Sequence, residues 1–331
     1  TGAVEATSLT TGTGAIRFDQ TGGQTLGVTL AQTGDGPITL TNAGADLTAT
    51  EVTAGGTENV VVTTTASGDV LVGDVTAAGA QVTISSAAGI EESGADGDAD
   101  ITASTIDLTA GSGIGNDARL EVSGTTITAT TGGVPGSAVD LASLATATTG
   151  AVSADLSVTG SAGDVELAQT STGPAQALTV TSATTNDGSI TVSNDGAELT
   201  ATSVSAGGSG DVGLTTTTAG DVLLDSVTAA GNTVTVTSAS GIEEDGDDAG
   251  AEVTAGGLAM TAASGIGADG TLETDVDRLE ADGGSAGIDL TNAGDLEIGG
   301  VSGSLTGATV SGGNLVIVAA RSDLLPIITE L

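Results

Sequence analysis

The chain has 331 residues, of which 54 are Gly, and it contains no Cys, His, Lys, Trp or Tyr and a single Phe. Globular cores take much of their buried area from aromatic side chains, so this interior must be filled by Val, Ile, Leu and Ala, which suits a narrow, uniform cylinder. With 43 acidic residues against four arginines, the net charge of −39 repels nucleic acid and anionic membranes. No apolar stretch reaches membrane-spanning length, so we expect no membrane insertion.

The acidity and the lack of Lys have two open explanations. A carboxylate-rich surface stays hydrated at high salt, where its self-repulsion is screened, as in a halophilic protein. Alternatively, the surface collects divalent cations. Both explanations fit an extracellular or cell-surface location. Disorder is disfavoured, because β-branched apolar residues recur at regular spacing.

The sequence repeats itself without a gap. The segment Ile38–Gly115 recurs 152 residues later as Ile190–Gly267. Such self-similarity is typical of a stacked, one-dimensional architecture. We expect blocks of about 14–162 and 163–314, each of about seven coils, within a continuous solenoid over 1–314.

A shorter period lies inside each block. Apolar residues at alternating positions begin at Ile38, Val60 and Val82, and Gly-bearing turns separate them. Short alternating strands at this spacing indicate all-β structure, and coils of about 22 residues fit a parallel β-helix, or β-solenoid. Thr39 and Thr41 should then face outward. About fifteen coils at ~4.8 Å would give a rod of roughly 70 Å, with about one net charge per 2 Å.

The last segment, 315–331, differs from the rest. It is rich in Leu and Ile, has fewer glycines and includes Pro326. We expect it to cap the solenoid or to form a junction with another domain. Because the pattern at Thr1 begins in mid-repeat, we expect the chain to be a segment of a longer repetitive protein.

Several stretches resemble the repeats of filamentous-haemagglutinin-like proteins, which are large secreted bacterial adhesins. They read GDVL at 68–71, VTAAG at 75–79, VTIS at 82–85 and IDLTAGSGIG at 106–115, followed by LETDVDRLEA at 272–281 and GIDLTNAGDLEI at 287–298. The resemblance implies a right-handed parallel β-helix, export across the outer membrane and a role in adhesion or fibre formation. It transfers no binding residue, since the shared positions are core and turn positions.

The residue content disfavours enzymatic activity. Acid–base and nucleophilic catalysis usually draw on His, Cys, Lys or Tyr, all of which are missing. Paired carboxylates can cleave glycosides, so a polysaccharide-active β-helix enzyme is the alternative from another class. We predict that the chain is not an enzyme.

Two acidic runs, each opening with a pair of glutamates, are the candidate metal sites: EESGADGDAD at 91–100 and EEDGDD at 243–248. Ca²⁺ prefers several carboxylate and carbonyl oxygens on a flexible loop. The first run departs from an EF-hand because Ile101 replaces the required Gly, and the second lacks the spacing. Ca²⁺ is therefore the candidate cofactor at a looser site. The candidate ligands are Asp96, Asp98, Asp100, Asp245, Asp247 and Asp248.

Together these observations predict a structural or adhesive segment of a large extracellular protein, a rigid acidic rod that forms or decorates a surface fibre. Its expected partners are further copies, end to end or side by side, and cell-surface or matrix components. The alternative within this class is a ligand-binding adhesin module.

Overall fold

The computed structural model describes residues 2–320, apart from positions 133, 161, 172 and 247. Every regular element among these residues is a β-strand, and all the strand pairings are parallel. The strands stack as a β-solenoid of about 13 turns with a spacing near 22 residues. The predicted all-β parallel solenoid is confirmed, and at ~4.8 Å per turn the rod is roughly 60 Å long.

Thirty strands make up the solenoid. The first fifteen are β1 (Val4–Ala6), β2 (Leu9–Thr11), β3 (Ile16–Gln20), β4 (Leu26–Val28), β5 (Ala31–Thr33), β6 (Ile38–Ala43), β7 (Leu47–Ala54), β8 (Val60–Thr65), β9 (Val70–Ser86), β10 (Gly89–Glu92), β11 (Ile101–Ala110), β12 (Gly113–Ile114), β13 (Leu120–Ser123), β14 (Thr126–Thr131) and β15 (Val139–Ala145). The others are β16 (Val152–Val158), β17 (Val165–Ser171), β18 (Leu178–Thr185), β19 (Ile190–Asn194), β20 (Leu199–Ala206), β21 (Val212–Thr216), β22 (Val222–Ser238), β23 (Ile242–Glu244), β24 (Val253–Ala262), β25 (Gly265–Ile266), β26 (Leu272–Asp282), β27 (Gly287–Ala293), β28 (Glu297–Ile298), β29 (Ala308–Thr309) and β30 (Asn314–Ala320).

Two stacks of strands run the length of the solenoid on different sides. A third, shorter row consists of β2, β5, the second half of β7, the middle of β9, the first half of β11 and β13, and it joins stack B at β15. Stack A begins with β3, β6 and β8 and ends with β27 and β30. Stack B begins with β1, β4 and β7 and ends with the second half of β26 and β28. Each long strand, such as β9, turns from one stack into the other, because its first half pairs with β7 and its second half with β8.

Inward and outward positions alternate as the sequence predicts. Ile38 pairs with Val60 and Val60 with Val82, and all three are fully buried. The intervening Thr39 and Thr41 are half-buried on the outer side. Because the side-chain period of a strand is two, each coil adds one row of aliphatic residues to a continuous core.

A column of polar side chains also runs inside the solenoid. Asn42 is fully buried, and its Nδ2 donates to the carbonyls of Gln24, Ala45 and Asp46 at 3.0, 2.9 and 2.7 Å. One coil later, Thr64 Oγ1 donates to the carbonyl of Gly68 at 2.8 Å. These side chains satisfy turn carbonyls that would otherwise be buried without a partner.

The repeat spans six and a half coils, not about seven. From Ile38 in stack A, half a coil leads to Leu47 in stack B, and six successive pairings then lead to Ile190. The number of coils in the repeat is below seven because the coils that end at Val139 and Val165 contain extra turn residues. These coils are longer than the usual coil, so fewer coils account for the 152 residues. The two copies therefore present equivalent strands on different sides of the rod.

The turn at Gly68 shows how closely adjacent coils approach. Gly68 has φ +100°, and a Cβ built on it would lie 2.1 Å from the carbonyl carbon of Ala45 in the preceding coil. Its equivalent, Gly220, has φ +99° and the same 2.1 Å approach to Ala197. Only glycine combines this backbone conformation with such a short distance.

The segment predicted as a cap or junction begins inside the solenoid. Residues 314–320 form β30, which pairs with β27 along its whole length. Leu315, Val316 and Val318 are exposed on this strand. Residues 321–331 lie outside the described residues, so the cap or junction remains a prediction.

Candidate metal centre

The first acidic run forms a loop between β10 and β11. Glu92 ends β10, and its Oε1 accepts a hydrogen bond of 2.9 Å from the backbone N–H of Asp96. Asp96 in turn closes a tight turn, because its Oδ1 accepts the N–H groups of Gly97 and Asp98 at 2.6 and 2.7 Å. The loop is therefore folded back over Glu92.

Beneath this loop lies Asp100, whose side chain is only 4% exposed. Its Oδ2 accepts the backbone N–H of Glu121, one coil later, at 2.9 Å, and its own N–H donates to the Glu121 carbonyl at 2.9 Å. Carboxylate oxygens of Glu92, Asp100 and Glu121 all lie within 4.8 Å of one another. The loop thus brings together three carboxylates from two coils.

The second repeat builds the same arrangement at its equivalent positions. Glu252 takes the place of Asp100, is 2% exposed, and accepts the N–H of Glu273 at 2.6 Å. Glu244 accepts the N–H of Asp248 at 2.8 Å, as Glu92 does from Asp96. In this copy the oxygens within 4.8 Å of one another belong to Glu244, Asp248 and Glu252.

Both buried acids are electrostatically unfavourable as anions. Burial raises the pKa of Asp100 from 3.8 to about 8, and the nearby Glu92 and Glu121 add to the shift. Burial likewise raises the pKa of Glu252 from 4.5 to about 7, with contributions from Glu244 and Glu273. The backbone hydrogen bonds act in the opposite direction and are outweighed. Without a counter-charge, each cluster therefore tends to retain a proton.

The first glutamate of each acidic pair has a different environment. Glu91 Oε2 accepts the N–H of Asp117 at 3.0 Å, and Glu243 Oε2 accepts that of Asp269 at 3.1 Å. Burial raises the pKa of both glutamates, and this outweighs those hydrogen bonds. Glu91 and Glu243 therefore link the acidic run to the backbone of the next coil, and they are not members of the three-carboxylate clusters.

Two of the six predicted ligands belong to the three-carboxylate clusters. Asp100 and Asp248 belong to the clusters, whereas Asp98 lines two neighbouring cavities. Asp96 holds its turn, Asp245 is not among the clustered residues, and Asp247 lies outside the described residues. Binding of Ca²⁺ to these residues remains a prediction.

The sequence-based ligand set lacks Glu92 and Glu244, which lie in the acidic runs, and also Glu121 and Glu252, which lie outside them. Glu121 follows Asp100 by about one coil and becomes its neighbour only when the coils are stacked in register. Glu252 could have been found, because it occupies the position equivalent to Asp100 in the gapless repeat.

A cavity of about 770 Å³ lies beside the first cluster. Its lining includes the hydroxyl-bearing Ser104, Thr125, Thr146 and Thr149, with Asp98 at its edge. Hydroxyl groups both donate and accept hydrogen bonds, so the cavity offers polar contacts beside the one carboxylate of Asp98.

Comparisons with protein-family models, curated proteins and solved structures found no match to this chain. The fold is that of β-helix repeat proteins in general. In the part of the chain that the structure describes, no helix is long and apolar enough to cross a membrane.

Proposed function

We propose that the chain is a structural or adhesive segment of a large extracellular protein, in which a rigid acidic β-solenoid forms or decorates a surface fibre. The observation that carries this proposal is the continuous parallel ladder from β1 to β30 over an aliphatic core. Because each coil is hydrogen-bonded to the next, such a ladder would transmit force and keep its shape along the axis.

The surface of the rod supports the same function. Outward positions are occupied mainly by Thr, Ser and acidic residues, and the net charge is −39. This charge keeps individual rods apart at low ionic strength and is screened at high salt or by divalent cations. Salt or cations would thereby control side-by-side association in a halophilic or cation-rich setting.

The two ends of the ladder support association along the axis. In the described part of the chain, β1, β2 and β3 each pair on one side only, and so does β30. An unpaired strand edge is a template for another strand. Further coils, from a longer chain or from a second copy, would continue the same parallel ladder.

The resemblance to filamentous-haemagglutinin-like adhesins agrees with an extracellular or cell-surface location. Two alternative functions, ligand binding and polysaccharide cleavage, would each need a site on the rod. A ligand-binding adhesin module is favoured by the 770 Å³ cavity lined by Ser104 and Thr125. A polysaccharide-active enzyme would have to work with carboxylates alone, and we propose that the chain has no catalytic activity.

Electron microscopy at graded NaCl and CaCl₂ concentrations tests the proposal. We expect filaments or lateral bundles with an axial repeat of ~4.8 Å, appearing as the charge is screened. Rods that stay monodisperse under every condition would contradict the fibre. Cleavage of a polysaccharide by the purified chain would overturn the non-enzymatic assignment.

A further inference from the structure

The chain contains seven Asp-Gly peptides, and one of them is held in a geometry that the others lack. They lie at 35–36, 96–97, 187–188, 195–196, 245–246, 269–270 and 282–283. The structure describes all seven. Among them, the carboxylate of Asp96 is the one that accepts a hydrogen bond from the backbone N–H of the following glycine, Gly97, at 2.6 Å.

This contact brings together two groups that can react with each other. Oδ1 of Asp96 is bonded to Cγ, so the nitrogen of Gly97 lies beside the carbon that it would attack. The same Oδ1 accepts the N–H of Asp98 at 2.7 Å, and the N–H of Asp96 donates to Glu92 at 2.9 Å. These bonds hold the side chain against its own peptide, and such positioning of two reacting groups favours their reaction.

The peptide also has room to react and access to water. Residues 93–98 are exposed and lie outside the strands. Gly97 has φ +132°, and a Cβ built on it would have no atom within 4 Å. Gly97 lines the cavity of about 770 Å³, and Asp96 lines a neighbouring one of about 530 Å³. Because glycine has no side chain to shield its nitrogen, this nitrogen is free to approach the carboxyl carbon.

The second repeat differs at the equivalent peptide. Asp248 takes the place of Asp96, but the residue after it is Ala249 and not a glycine. Oδ1 of Asp248 accepts the N–H of Gly250, two residues further on. The methyl group of Ala249 also shields the nitrogen that would have to attack. The two repeats therefore supply a reactive peptide and its matched control in one chain.

We propose that Asp96-Gly97 is a site of spontaneous isoaspartate formation. The Gly97 nitrogen attacks Cγ of Asp96 and forms an N–C bond, while the proton of the nitrogen and the carboxyl hydroxyl leave together as water. The product is a cyclic succinimide. Water then opens the ring at either carbonyl, which restores aspartate or leaves the main chain running through Cβ and Cγ. Water is the one co-reactant, and nothing is oxidised or reduced.

This modification goes beyond the proposed function, since a scaffold needs no chemistry in this loop. Isoaspartate lengthens the backbone by one carbon atom and attaches the carboxylate directly to Cα. The turn in which Asp96 accepts two backbone N–H groups is then lost, and the loop is no longer held over Glu92. The change affects the first repeat alone, so the two repeats of an aged rod differ.

Incubation of the whole chain in warm neutral buffer, folded and in urea, tests the site. Mass spectrometry with electron-transfer fragmentation measures isoaspartate at each Asp-Gly peptide and at Asp248. We expect position 96 to react at least as fast in the folded chain as in urea, and the other positions to react more slowly when folded. If folding slows position 96 as much as the others, the geometry gives no advantage and the proposal is overturned.

Three variants test the chemistry, with circular dichroism to show that each one folds. Gly97→Ala should reduce isoaspartate at 96 to the level found at Asp248. Asp96→Asn forms the same ring with loss of ammonia and should react faster than the unchanged chain. Asp98→Asn alters the neighbouring carboxylate but keeps the Asp96 contact, so it should react as the unchanged chain does. An unchanged rate in Gly97→Ala would overturn the proposal, and so would a slower rate in Asp96→Asn.

Discussion

Asp100 and Glu252 occupy equivalent positions of the two repeats, yet they lie in different stacks of the solenoid. Each is almost fully buried and accepts a backbone N–H from a glutamate in the next coil, Glu121 at 2.9 Å and Glu273 at 2.6 Å. The difference in stack follows from a repeat of six and a half coils. Duplication of this block thus places the same acidic site on two sides of one rod.

The pH dependence of stability should reveal these buried acids. In EDTA and at constant high salt, we expect the unfolding temperature to fall as the pH rises from about 4 to about 8. Folded Asp100 keeps its proton up to a pKa of about 8, whereas the same group in the unfolded chain ionises near 3.8. Between these values the folded state binds more protons, so rising pH removes stability. Glu252, with a pKa of about 7, acts in the same direction.

The variant with Asp100→Asn and Glu252→Gln is the control for this profile, because repulsion across the whole surface also grows with pH. Its unfolding temperature should fall less steeply over the same range. Some slope should remain, since burial also raises the pKa of Glu91 and Glu243. Identical slopes for the variant and the unchanged chain would show that these two acids are not the cause.

Replacing Gly68 by alanine should destabilise the solenoid strongly. The new Cβ would lie 2.1 Å from the carbonyl carbon of Ala45, so the two coils would have to separate. Gly79 is a matched control, because it also has positive φ (+79°) but no atom within 4 Å of its Cβ position. Gly79→Ala should cost only the conformational strain, about 1–2 kcal/mol. Urea unfolding of the two variants compares the costs, and equal midpoints would argue against close contact between coils.

The buried amide of Asn42 should contribute measurably to stability. Asn42→Ala removes the donor to three carbonyl groups inside the solenoid, and we expect a loss of about 1–3 kcal/mol. Thr41→Ala changes the neighbouring side chain, which faces outward, and should have a much smaller effect. If urea unfolding gives both variants the same midpoint, the polar column is not a stabilising feature.

The sequence predicts the strands within one coil, but it does not predict on which side of the solenoid the strands of each repeat lie. The ladder from Ile38 through Val60 to Val82 could be predicted, because period-two alternation and a regular coil length are local patterns. It could not be predicted that equivalent strands of the two copies lie in different stacks, because this depends on the longer coils that end at Val139 and Val165. A few extra turn residues, unremarkable in sequence, change which side each later strand occupies.

The buried polar side chains could not be predicted from the sequence, for a similar reason. Asn42 precedes Ala43 and Gly44 in what reads as an ordinary turn, yet its side chain points inward and binds carbonyls from two coils. Likewise, the acidic run draws attention to Asp96 and Asp98, whereas the buried acid at its end, Asp100, meets Glu121 only through stacking. Burial and partners between coils are set by register, which local composition does not encode.

One continuous solenoid joins the two repeats, and distances between spin labels test this continuity directly. Thr41 leads along stack A, through successive pairings, to Thr130 after four coils, Ser157 after five and Ser205 after seven. All four side chains face outward, and the chain has no native Cys, so paired cysteine substitutions can be labelled specifically. At ~4.8 Å per coil, narrow distributions should centre near about 19, 24 and 34 Å. Distances that fail to grow linearly with coil number, or a broad distribution for Thr41 and Ser205, would contradict a continuous rigid rod.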